Sequence, residues 1–221
     1  MGIISVEQVD HLYWLGRYSE RVYTTLQIFA KSFDVMIDSA DEVYPKYCEA
    51  LDIPNIYESK EDFLKRYPFD DCIPDSIISN LNRAYDNAIV LRETIGSDAL
   101  SYIQLALYAM NKASVSDSPL IELQQIVDNL YSFWGIIDDQ IESEQIRNII
   151  KAGKRIERID LYARLELDKV FLEREIRRMI PRVLRSGLKY NKSALDSVCS
   201  LANDSILNYN EILLTVEKIV A

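Results

Sequence analysis

Apolar and polar residues recur along this chain at spacings of three and four, the period of helices that bury one face. Ser5 and Gln8 stand three apart as a capping box. From there Leu12, Leu15, Ser19, Val22, Leu26, Phe29, Phe33 and Met36 form a stripe that predicts a helix to about residue 38, with one polar lapse at Ser19. Residues 40–75 are less regular and predict two short helices, near 44–52 and 60–67, the second capped by Ser59 and closed by Pro68. Asp75 reads as the cap of a helix in which Ile77, Leu81, Ala84, Ala88, Leu91 and Ile95 face inward and Gly96 ends the ladder. A further helix runs from Ser97 to about Lys112, and Ser118-Pro119 opens another that reaches about Gln140. Ser143 opens a long stretch through Ile180, with a bend or break expected between Leu167 and Pro181. Glu166 and Glu173 interrupt the stripe there, and proline cannot continue a helical ladder. A last helix is predicted over 193–220, with Leu195, Val198, Ala202, Ile206, Tyr209, Leu213, Val216 and Val220 inward. No segment alternates with period two. The expected fold is an all-α bundle of about six to eight helices, forming a single domain over residues 1–221.

Beside the first apolar stripe lies a second at the same spacings: Tyr13, Gly16, Glu20, Tyr23 and Gln27. It returns at an offset of 137 positions as Ile150, Gly153, Glu157, Asp160 and Arg164. At that offset Glu7, Gln8, Gly16, Glu20 and Arg21 fall on identical residues, and Val9, Leu12, Val22 and Ile28 meet Ile146, Ile149, Ile159 and Leu165. The pattern reads as an internal duplication of a Gly-x-x-x-Glu-Arg helix. Glycine inside a helix costs about 1 kcal/mol relative to alanine and commonly marks close approach of another backbone. The two motif helices are therefore expected to lie side by side, with arginines of one copy serving carboxylates of the other. The expected network comprises Glu20, Arg21, Glu157, Arg158, Asp160 and Arg164, joined by Asp86, Asn87 or Arg92 from the middle helix. It admits two readings: a buried packing device, or a polar pocket for an anionic or amide-bearing ligand.

Composition changes this picture in two places. The net charge of −10 disfavours nucleic acid as partner, yet residues 151–189 carry 12 Lys/Arg against 6 Asp/Glu. Within that block Arg174, Arg177, Arg178, Arg182 and Arg185 align on one face. They form either a plain surface helix or a docking face for an acidic protein or a phosphate-bearing ligand. The three cysteines, Cys48, Cys72 and Cys199, show no metal spacing and point to a reducing cytoplasm. No apolar run reaches the ~18 residues of a membrane span, and no signal peptide is expected at the N-terminus.

Catalytic and cofactor motifs are sparse. The lone His11 excludes the usual di-iron pairs and a Ser-His-Asp arrangement, and no phosphate-cradling glycine loop exists. Asp138, Asp139 and Glu142, with Asp70, Asp71 and Asp75, only loosely imitate the paired magnesium clusters of prenyl-diphosphate enzymes. No cofactor and no metal are expected.

Leu12-Tyr13-Trp14-Leu15-Gly16-Arg17-Tyr18-Ser19-Glu20-Arg21 resembles the opening signature of the alpha-E domain family. Gly153 to Arg158, with Asp160, Ala163 and Arg164, resembles that family's second copy, and Ser76-Ile77 through Asp86-Asn87-Ala88 and Arg92-Glu93 its middle motif. The chain departs from the pattern at Tyr23, Gln27, Tyr85, Ile89, Leu100 and Tyr162. The resemblance implies a bacterial, all-helical protein associated with circularly permuted ATP-grasp proteins and transglutaminase-like proteases. The expected role is an accessory or interaction subunit for such a partner in peptide or amide metabolism. The alternative is an enzyme of peptide or amide chemistry, with Glu20 or Glu157 as general base and an arginine anchoring a carboxylate. Whether the protein forms a homo-oligomer is left open.

Overall fold

The computed structural model describes residues 4–38, 43–203 and 207–220. Among them lie ten helices rather than six to eight, and the only pairing of extended backbone is an isolated antiparallel bridge between Tyr190 and Val220. The contacts divide the chain into two units, one of residues 1–20 and 141–221 and one of residues 21–140.

Helix α1 (Val6–Asp38) spans both. Its start is the predicted capping box: Ser5 N donates to Gln8 Oε1 at 3.2 Å and Gln8 N to Ser5 Oγ at 3.1 Å. In the second unit the rest of α1 joins α2 (Val43–Leu51), α3 (Lys60–Phe69), α4 (Ile77–Val90), α5 (Arg92–Ser114) and α6 (Pro119–Asp139). One end of this core is aromatic. Phe63 lies among Phe29, Tyr44, Tyr47, Tyr57 and Tyr67, stacked on the Tyr67 ring at 5.0 Å. The other end is aliphatic, from Leu81, Ala84, Ala88, Leu91, Ile95, Ile103, Ala106, Ile126 and Leu130.

Several boundaries move. Helix α4 is capped by Ser76, whose Oγ accepts from Ser79 N at 3.1 Å, not by Asp75. Its ladder stops at Leu91 instead of Gly96, and one turn later Gly96 breaks α5 at φ +85°. Leu91 and Ile95 stay buried across that interruption, so the inward stripe outlasts the hydrogen bonds that would carry it.

In the first unit the long stretch is broken into α7 (Glu144–Arg164) and α8 (Lys169–Ser186). The break lies at 165–168, where Glu166 takes a positive φ of 47° and Asp168 Oδ1 caps α8 by accepting from Val170 N at 2.8 Å. Pro181 is absorbed inside α8. The Arg177 carbonyl, four residues back, loses its ladder donor there. The terminal helix is also two: α9 (Lys192–Asn203) and α10 (Tyr209–Val216). Asn208 caps α10 and resets its phase, so Ile212, Val216 and Ile219 are buried while Tyr209, Leu213 and Val220 are only half-buried. Ile206 lies outside the described residues.

Two cross-links fix the antiparallel register of α7 and α8: Arg182 Nη1 donates to Asn148 Oδ1 at 3.0 Å, and Arg155 pairs with Glu175.

Candidate functional site

The two motif glycines mark the crossing of α1 and α7. A Cβ built on Gly16 would stand 2.0 Å from the carbonyl oxygen of Ile150, and one on Gly153 would stand 2.2 Å from that of Tyr13. Neither is a space a side chain could enter. The approach is reciprocal: each glycine faces the carbonyl of the residue three before the other. The side-by-side placement expected from the two glycine-bearing stripes is present.

One turn beyond each glycine, Glu20 and Glu157 are wholly buried. Arg158 grips Glu20 with both prongs, Nε to Oε1 at 2.5 Å and Nη2 to Oε2 at 2.9 Å. Arg17 Nε donates to Glu157 Oε2 at 2.6 Å while its guanidinium lies 5.1 Å from the Trp14 ring centroid. Burial works against the charge of both arginines, but the paired glutamates outweigh it and hold each guanidinium more firmly protonated than usual. Tyr13, buried beside Arg17 and Glu157, is pushed up to about 12, chiefly by desolvation.

Asp160 continues this line. Its Oδ2 accepts from Arg164 Nε at 2.9 Å, whereas its Oδ1 is buried with no hydrogen-bond partner among the described residues. Burial, helped by Glu157, raises the Asp160 carboxyl above its ordinary range against the pull of Arg164 and Arg17.

A second cluster lies between α7 and α8. Glu175, wholly buried, accepts from Arg155, from Arg178 Nη1 at 3.1 Å and from Arg174 Nε at 3.3 Å, with Arg158 Nη1 at 3.9 Å. Burial pushes its carboxyl up, but Arg155 and Arg158 outweigh that and hold it below the usual carboxylate value. Lys151 and Lys154 stand on the same length of α7. Burial and the neighbouring cations push Lys151 down to about 8 and Lys154 to about 7, although Glu20 pulls Lys154 the other way.

Of the residues expected in the network, Glu20, Arg158, Glu157, Asp160 and Arg164 come together in the first unit. Arg21 belongs to the second unit by chain position, half-buried, its carbonyl accepting from Thr25 Oγ1 at 2.6 Å. The middle-helix residues are also in the second unit. Asp86 is exposed, Asn87 Nδ2 donates to the Arg83 carbonyl at 2.7 Å, and the exposed Arg92 reaches Ser97 Oγ at 3.4 Å.

Three participants were missed: Arg17, Arg155 and Glu175. Glu175 carried a legible signal, an acid placed three after Leu172 and four before Met179 on the inward face. The expected arginine stripe of α8 divides. Arg178 turns to Glu175 and Arg182 to Asn148, whereas Arg177 and Arg185 stay largely exposed and the Arg174 guanidinium lies 5.2 Å from the Phe171 centroid. Asp138 and Asp139 are solvated at the end of α6. Asp70, Asp71 and Cys72 bring ligand atoms within 4.8 Å of one another, but Asp70 already accepts from Arg66 and Asp71 and Cys72 are exposed. Among the described residues no helix is long and apolar enough to cross a membrane.

Comparison with known families matches residues 7–200 to Alpha-E, described as a predicted α-helical domain with a conserved ER motif. Glu20-Arg21 and Glu157-Arg158 are Glu-Arg pairs within that span. Comparison with curated proteins and with solved structures finds no match.

Proposed function

We propose, from the premise that this chain belongs to the Alpha-E family, that it works as a helical accessory module for an ATP-grasp or transglutaminase-like protein in peptide or amide metabolism. One observation favours this over catalysis by the motif. Glu20 and Glu157 are wholly buried and each is held by an arginine, at 2.5 and 2.6 Å. A general base must reach a substrate proton and give up its own ion pair to take it. A carboxylate locked into an arginine at a helix crossing does neither, whereas it does lock two helices in one register. The partner class rests on the sequence signatures at Gly16–Arg21 and Gly153–Arg158.

The test is reconstitution. Purified chain is mixed with ATP-grasp and transglutaminase-like proteins from the same host, and complex formation, ATP hydrolysis and amide turnover are followed. The expected result is a stoichiometric complex with one of them and a changed activity of that partner, with the chain alone inert on dipeptides and their amides. Failure to bind either class would remove the accessory reading. Turnover by the chain alone, abolished in Glu157→Gln, would install the enzyme reading in its place.

A further inference from the structure

We propose that the outward face of α8 is a docking surface for an acidic, amphipathic segment of a partner protein. The inference goes beyond the function above and holds whatever chemistry that partner performs.

At 3.6 residues per turn, α8 divides into two arcs. Leu172, Glu175, Ile176, Met179, Val183 and Ser186 point inward and are buried. The opposite arc carries Arg174, Arg177, Arg178 and Arg185, whose side chains are 44, 73, 52 and 63% exposed. Val170, Phe171 and Leu184 share that arc and are exposed as well. No acid of α8 lies in it, since Glu175 is buried on the inward side and Glu173 stands at the edge.

These arginines have partners, and the partners leave the face cationic. Arg174 and Arg178 share the single charge of Glu175 with Arg155. Arg177 and Arg185 lie 3.8 and 3.7 Å from Glu173 and Glu144, longer than hydrogen bonds, in exposed pairs that an incoming carboxylate can replace. A guanidinium presents five N–H donors, so each keeps the capacity to hold a further carboxylate.

Beside this row the boundary of α8 and α9 is notched. A cleft of about 140 Å³ opens there, lined by Glu173, Ile176, Arg177, Ile180, Cys199 and Ala202. Ile176, Ile180 and Ala202 give it an apolar lining, and Arg177 belongs to both the cleft and the row. An apolar notch with charged groups around it is the form in which one protein anchors a side chain of another.

Guanidinium groups match phosphate as well as carboxylate, and two observations select the protein. The net charge of −10 repels a long polyanion such as nucleic acid, whereas a short segment within a Debye length of ~10 Å senses chiefly the arginines. A membrane surface calls for a continuous apolar face. Here Val170 and Phe171 stand at one end of α8 and Leu184 near the other, with arginines between them.

Fluorescence anisotropy of a labelled, designed peptide on the full chain tests this. The peptide is helical, with Leu at spacings of three and four flanked by Glu, and its control has the same composition without that period. The periodic peptide is expected to bind saturably and the control to bind at least tenfold more weakly. Arg177→Gln combined with Arg185→Gln is expected to weaken the periodic peptide by roughly tenfold or more. Both positions are exposed, so the melting temperature should hold. Lys46→Gln combined with Lys65→Gln removes the same charge from exposed positions elsewhere and should leave the affinity within twofold. No saturable binding, an equal response to the control peptide, or an arginine double variant within twofold of the parent would overturn the surface. Two further results would overturn the occupant. Parent dimers in sedimentation velocity that the arginine double variant disperses would assign the face to a second copy. Binding to phosphatidylserine vesicles without binding to the peptide would assign it to a membrane.

Discussion

At the level of single residues, the glycines show how position decides the sign of an effect. Replacing a helical glycine by alanine ordinarily stabilises by about 1 kcal/mol. At Gly16 and Gly153 the new methyl would fall 2.0 and 2.2 Å from a backbone oxygen of the facing helix, which cannot rotate away as a side chain would. Gly16→Ala and Gly153→Ala should instead destabilise by about 2–3 kcal/mol through overpacking, read as a fall in the urea midpoint. A midpoint that rises would place the helices further apart than described. The charges make a second case. Glu157→Ala leaves Arg17 buried without its partner and should cost about 3–5 kcal/mol. A loss under about 1 kcal/mol, the range of exposed pairs, would reduce the pair to surface decoration.

At the level of elements, periodicity located the inward faces more reliably than the ends. The α4 stripe continues through Leu91 and Ile95 although the ladder stops at Leu91, because burial depends on where side chains point and not on which carbonyl accepts them. Gly96 illustrates what local chemistry does decide. At φ +85° and ψ 157° it occupies backbone space open essentially to glycine alone, with nothing within 4 Å of a built Cβ. Gly96→Ala should therefore lose about 1–3 kcal/mol to strain alone, measured by chemical denaturation. An unchanged midpoint would mean that this turn relaxes at no cost. Pro181 is the converse case: a strong breaker by composition that α8 nonetheless carries inside its span.

At the level of the molecule, the basic stretch of α7 and α8 sets a dependence on pH. Lys154, near 7 in the folded chain against 10.5 ordinarily, and Lys151, near 8, bind fewer protons folded than unfolded across that window. Stability rises with pH wherever the unfolded chain holds more protons. The urea midpoint should accordingly climb from pH 7 to 9, before the buried Cys48 thiol, raised to about 11, opposes it. Lys154→Met should flatten the climb, and a parent already flat over that range would refute the account. Glu175 acts at the other end. Its carboxyl is held below the ordinary 4.5, so the stability it contributes is present above that value and fades as pH falls through its lowered folded value.

What the sequence determined by itself was local. The capping box at Ser5, the inward stripes, the glycines as points of close approach, and the pairing of Glu20 with an arginine of the other motif follow from spacing on a helix, which is set by covalent geometry. The tertiary structure decided which cation serves which acid. Arg17 reaches Glu157 and Arg155 reaches Glu175 because of where the helices cross and how far one slides along the other, and neither appears in the spacing of a single helix. It also split the terminal helix and moved the α7–α8 break to Glu166, where one residue at positive φ reverses the chain. Such a choice is settled by the packing that follows it, since the cost of one unfavourable dihedral is small beside a buried helix face.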